Sequence, residues 1–230
     1  MEVLFMNTYN QYDVRIAHIM SKIENLRGKK RRFGKGTFEP VWEPPLTEKE
    51  VVDFETKKGI HLPEDYRRFI TAYASAGKQP FGELYPLYQS ESVVEHPFPY
   101  TLNQILYFLY MTEEEMDYFW DENTPFTADH GLLTLCHEGD GMKSVLVVNS
   151  KEADTYGTVW YYDLANDCGI VPMYDQKTGK PFHFLDWLEY WADRTASLSY
   201  DEYFGFSETV YLPKVPDNPN IMGRKMGWID

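Results

Sequence analysis

His137, Glu138 and Asp140 lie within four residues of one another in the run Cys-His-Glu-Gly-Asp-Gly. A histidine flanked by carboxylates has the composition of a general acid–base site and would suit a hydrolase. The surroundings favour another reading. Gly-Asp-Gly is first a turn signature, and alternation along a strand sends Cys136 and His137 to opposite faces. The six histidines, His18, His61, His96, His130, His137 and His183, include no pair at helical spacing, and neither HExxH nor CxxC occurs. A zinc site therefore has no support in the sequence. Residues 163–169, Asp-Leu-Ala-Asn-Asp-Cys-Gly, have the outline of a calcium loop but put Ala165 where an oxygen ligand is required. No GxSxG or Walker glycine loop is present, and Lys-Thr-Gly-Lys at 177–180 falls in an expected turn. The 36 acidic residues would let some carboxylate pair meet in space, which alone argues for nothing. No catalytic residue, cofactor or metal is expected.

The elements around these residues are easier to read. Residues 11–27 space Ile16, Ile19, Met20, Ile23 and Leu26 as a short amphipathic helix. A basic linker, Gly-Lys-Lys-Arg-Arg-Phe-Gly-Lys-Gly, follows it. Thr47 and Glu50 stand in capping-box relation, with Leu46 and Val51 at the positions of a hydrophobic staple, and Gly59 is placed to end that helix in the left-handed region. Pro63 opens the next helix, whose apolar stripe is Tyr66, Phe69, Ile70, Tyr73 and Ala74, and Gly77 ends it. Glu64 and Asp65 suit the positive helix start, while Arg67 and Arg68 lie off the stripe and are expected in solvent. "GELYPLY" reads as a short strand. A second capping box joins Thr112 to Glu115, with Met116, Phe119 and Trp120 on one face of the helix and Glu113, Glu114, Asp117 and Asp121 on the other. Residues 131–150 read as two strands about Glu138-Gly139-Asp140-Gly141, "YGTVWYYDL" as a third, and "GIVPMYD" adds another. Phe184, Trp187, Leu188 and Trp191 mark a final helix. Helices, then turn-linked strands, then a helix predict an α+β domain with an antiparallel sheet.

Four of these runs, in this order, resemble the SUKH superfamily (Smi/Knr-like): "LTEKEVVDFETKKGIHLPEDYRRFI", "HEGDGMKSVLVVN", "GTVWYYD" and "FLDWLEYW". The similarity spans about residues 42–195 and is interrupted at 92–126. Where family members often have Asn-Gly-Gly after the second helix, this chain has Ala74-Ser75-Ala76-Gly77. The resemblance implies a SUKH-like α+β fold, N-terminal helices followed by an antiparallel sheet and a C-terminal helix, without catalytic residues. Bacterial members are commonly immunity proteins that neutralise a cognate toxin; fungal members resemble regulators or scaffolds of cell-wall synthesis and signalling. The domain organisation expected is an N-terminal helix and basic linker at 1–38, a SUKH-like domain at 39–198 with an insertion at 92–126, and an extension at 199–230 packing on the domain.

Charge and composition bear on the partner. The net charge is −14, yet residues 1–38 carry eight basic and three acidic residues, so the body holds the whole acidic excess. That body repels nucleic acid and would steer a basic protein, such as a nuclease toxin, towards it. Aromatic residues make up 17% of the chain and could anchor such a partner. The expected partner-binding residues are Glu113, Glu114, Asp117, Tyr118 and Asp121. The other readings are a scaffold or regulatory module without a toxin, a hydrolase using His137 with Glu138 or Asp140, and phosphate binding through the basic run at 29–35. The first residues contain no secretory signal pattern, no apolar run is long enough to span a bilayer, and there are two cysteines, Cys136 and Cys168. A cytoplasmic protein without a membrane partner is expected.

Overall fold

Gly77 shows how closely the chain is packed. A Cβ built on it would lie 2.6 Å from the Trp42 ring and 2.7 Å from the Val41 carbonyl oxygen, so only glycine lets these two segments approach as strands. In the computed structural model the described residues are 2–30, 36–78, 83–89, 93–108, 111–139, 141–165, 168–175 and 178–196, with side chains from residue 11 and not for Thr195. Along the chain come helix α1 (Glu2–Glu24), strand β1 (Val41–Trp42), helices α2 (Glu48–Lys58) and α3 (Glu64–Ala72), and strands β2 (Gly77–Lys78), β3 (Glu83–Leu84) and β4 (Leu106–Tyr107). Helix α4 (Glu113–Trp120), strands β5 (Leu132–Gly139), β6 (Met142–Val147), β7 (Val159–Asp163) and β8 (Gly169–Pro172), and helix α5 (Phe184–Ala196) complete it. The strands form one sheet in the order β1-β2-β3-β5-β6-β7-β8-β4, and every neighbouring pair is antiparallel. The fold is α+β, with helices before the sheet and a helix after it.

Local signals account for α2. Thr47 and Glu50 cap each other's backbone amides, and Gly59 ends the helix at φ 65°. Helix α3 departs from the sequence reading at both ends. Pro63 sits at the N-cap, just before the first helical residue, and the helix stops at Ala72. Gly77 belongs instead to β2, paired with Trp42 and Leu84. Its requirement is a tertiary contact, which local spacing does not reveal. Arg67 and Arg68 are not left to solvent either. Arg67 reaches Glu48 at 2.6 Å and Glu55 at 3.6 Å, and Arg68 makes a two-pronged pair with Asp13 of α1. Asp65 is buried rather than a surface charge at the helix start. One of its oxygens accepts from the Leu185 amide of α5, the other from Tyr66, and burial raises its pKa against the opposing effect of those bonds.

Helix α1 packs on α3 and α5. Ile16, Ile19 and Ile23 are fully buried, each burial stabilising by about 1.5–3 kcal/mol relative to exposure. Around that apolar seam, Arg15 pairs with Asp186 and Glu189, and Lys22 with Glu189 and Asp193. The ends of the basic run are drawn together by a bridge between Lys30 and Thr37; residues 31–35 lie outside the described residues, as does the extension at 199–230.

Strands β7 and β8 are buried on both sides, Trp160 and Tyr161 alike. Since alternate residues face opposite ways, two layers cover the sheet. On the Tyr161 side, α5 is tied down by Arg194, which reaches Glu138 of β5 at 3.3 Å, while Ser144 of β6 donates to the same carboxylate. On the Trp160 side lies the stretch read from sequence as an insertion. Phe98 meets the Trp160 ring edge-on at 4.9 Å, and Tyr100, Ile105, Leu106 and Phe108 are buried in the same core. Within this stretch, β4 adds an edge strand beside β8.

Candidate functional site

Helix α4 begins with the capping box foreseen from Thr112 and Glu115: the Glu115 carboxylate accepts from the Thr112 amide at 2.8 Å, and the Thr112 hydroxyl from the Glu115 amide at 3.2 Å. That exchange buries Glu115 and orients the helix. Phe119 is buried against Phe108, and Met116 packs on the core. Glu113, Glu114, Asp117 and Asp121 are exposed together on the outer side, and Tyr118 is half-buried beside them. Glu113, Glu114 and Asp117 make no ion pair with a described residue, unlike the acids of the α1–α5 seam. Glu113 and Glu114 also oppose the positive end of their own helix dipole, a structural role available to them without any partner. Asp121 accepts from the Asn123 amide at 2.8 Å, which holds its pKa below the usual carboxylate range.

Trp120 departs from expectation. It occupies the last helical residue, leaning on Phe108 and Phe119, but is 51% exposed rather than part of the buried face. Phe126, on the turn after α4, is 47% exposed and packs on Phe119. The surface of α4 thus joins four carboxylates to two large exposed rings. Trp120 shares the side of Phe119, as its spacing predicts, but stands at the margin of the core; Phe126, in a polar turn, carried no signal.

The histidine–carboxylate run takes a form unlike a catalytic pair. His137 is exposed and rests against the Tyr85 ring at 5.0 Å, while Glu138 turns to the opposite side and is engaged by Arg194 and Ser144. Asp140 lies outside the described residues. Cys136 is buried, and burial first, then the charge of Glu138, pushes its thiol pKa far up. No described helix is long and apolar enough to cross a membrane.

The profile of the SMI1 / KNR4 family (SUKH-1) matches residues 45–189, well over half of the chain. The chain belongs to this family. The matched span of the SUKH domain runs from just before α2 into α5, so it contains α4 and the whole 92–126 stretch, while α1 lies outside it. Comparison with curated proteins gave no match, and neither did comparison with solved structures.

Proposed function

We propose that this SUKH domain acts by binding rather than by catalysis, as an immunity protein that covers and neutralises a toxin domain in the cytoplasm. The observation that carries the reading is the outer face of α4. Three carboxylates without an ion pair to a described residue stand beside exposed Trp120 and Phe126. Unpaired surface charge steers a partner of opposite sign, and large rings supply the contacts that hold it once water is expelled. The partner this face suits is therefore a basic protein domain, a nuclease toxin among them. Family membership supports the same reading, as does the engagement of Glu138 with Arg194 and Ser144, away from His137.

The test is co-expression with the product of the neighbouring gene and with basic nuclease toxin domains, followed by capture from the lysate. Rescue of growth and a stable complex are expected. The triple variant Glu113→Lys, Glu114→Lys, Asp117→Lys should lower affinity by about tenfold or more, while the lost helix-start charges cost only about 1–2 kcal/mol and leave the chain folded. A complex indifferent to the charge reversal would remove α4 from the interface. Absence of rescue and of any toxin-like partner would favour a regulatory scaffold instead.

A further inference from the structure

A second feature lies on the inner flank of α4. Residues 96–104, the turn after α4 and the turn at 150–152 enclose a cleft of about 610 Å³, a volume that suits a small ligand or a single side chain with its backbone. Its apolar lining includes Phe98 and Tyr100, both buried, with Pro97 and Pro125 nearby. Its polar lining is rich in donors. His96 and His130 meet ring to ring at 4.9 Å, Lys151 makes no ion pair with a described residue, and Thr124 and Thr127 supply hydroxyls. Lys151 brings a cation and several donors to this rim, with the Glu152 carboxylate beside it.

The walls are fixed in place by the backbone. The Phe98 amide donates to the Asn149 carbonyl at 2.8 Å, the Asn149 side chain donates to the carbonyls of Val94 and Glu95, and the Gly131 amide donates to Val93. Gly131, at φ 68°, leaves no room for a Cβ: one would lie 2.4 Å from both the Phe98 nitrogen and the Asn149 oxygen. A cleft held open in this way is preorganised and needs no rearrangement to accept a ligand.

We propose that this cleft binds a carboxylate or phosphate group carried on a ring or short apolar body. The anion sits against Lys151 and the two imidazoles, and the body lies over Pro97, Pro125 and the half-buried Tyr118 ring. The charged and titratable groups around the imidazoles are few. Glu152 and Tyr118 line the cleft. Glu95, next to His96, is ion-paired with Lys58, and Asp129, next to His130, lies close enough to Tyr162 to raise its pKa together with the larger effect of burial.

The probes are benzoate, phenyl phosphate and the uncharged isostere benzamide, titrated into the full chain and followed by amide and imidazole NMR shifts. Saturable shifts at His96, His130 and Lys151 are expected with the two anions and not with benzamide. Lys151→Gln should weaken benzoate by about fivefold or more, and His96→Gln with His130→Gln should weaken it further by removing the two ring donors, each variant keeping the dispersed spectrum of the folded chain. A peptide, acetyl-Phe-Glu-Phe-amide, separates the sources: binding tighter than benzoate assigns the anion to a protein segment, weaker binding to a free small molecule. Benzamide binding as well as benzoate would overturn the proposal, as would a Lys151→Gln chain with unchanged affinity. None of these outcomes depends on a toxin partner being found.

Discussion

At the residue scale, the positions that matter most are those whose neighbours come from elsewhere in the chain. Gly77 is such a position. Gly77→Ala is expected to destabilise by about 1–3 kcal/mol, because the Cβ would press on backbone as well as on the Trp42 ring; urea unfolding measures it, and an unchanged midpoint would mean that β1 yields. The thiols offer a second check. Burial raises both, Cys168 to about 11 and Cys136 further, so neither is a thiolate at neutral pH. Native protein should react slowly with a thiol reagent, with Cys136 labelled only on unfolding; rapid stoichiometric labelling of Cys136 would contradict its placement. Gly59 and the two capping boxes were legible because their chemistry is complete within a few residues. Gly77, Trp120 and Phe126 were not, since each owes its role to a distant partner or to the point where the core ends.

At the element scale, helix α1 is the part whose importance the sequence understated. Its apolar spacing was plain, but its ion pairs join residues more than fifty positions apart and leave no local trace. Ile19→Ala at this seam should destabilise by about 2–5 kcal/mol in denaturant titration. The seam should also respond to acid. The hydrogen bonds from Arg68 hold Asp13 below the usual carboxylate range. For Glu189, burial raises the pKa, but the bonds from Lys22 and Arg15 outweigh it and leave it lowered. A carboxylate whose pKa is depressed on folding adds stability above its unfolded value and loses it as pH falls through the folded one. Stability should therefore fall below the ordinary carboxylate range, and Asp13→Asn with Glu189→Gln should flatten that part of the profile. An equal acid sensitivity in the double variant would place the effect elsewhere.

At the scale of the whole molecule, the α+β order and the turn-linked antiparallel strands followed from strand periodicity and turn chemistry, while their order in the sheet did not. The destination of the 92–126 stretch did not, because β4 pairs with β8, a strand more than sixty residues later. The acidic excess, by contrast, was visible in composition and bears on kinetics. Association with a basic partner should slow markedly as salt rises from about 50 to about 500 mM while dissociation changes little, since added ions screen long-range steering more than close contacts; stopped-flow mixing would separate the two. The margins of the sheet bear on what such a partner can hold. Both outermost strands, β1 and β4, are two residues long. Margins so short offer almost no ladder of free amides and carbonyls to a visiting strand. Recognition by backbone annealing along the described edges is thereby disfavoured, as is edge-to-edge stacking of copies, which leaves the gripping of a partner mainly to side chains.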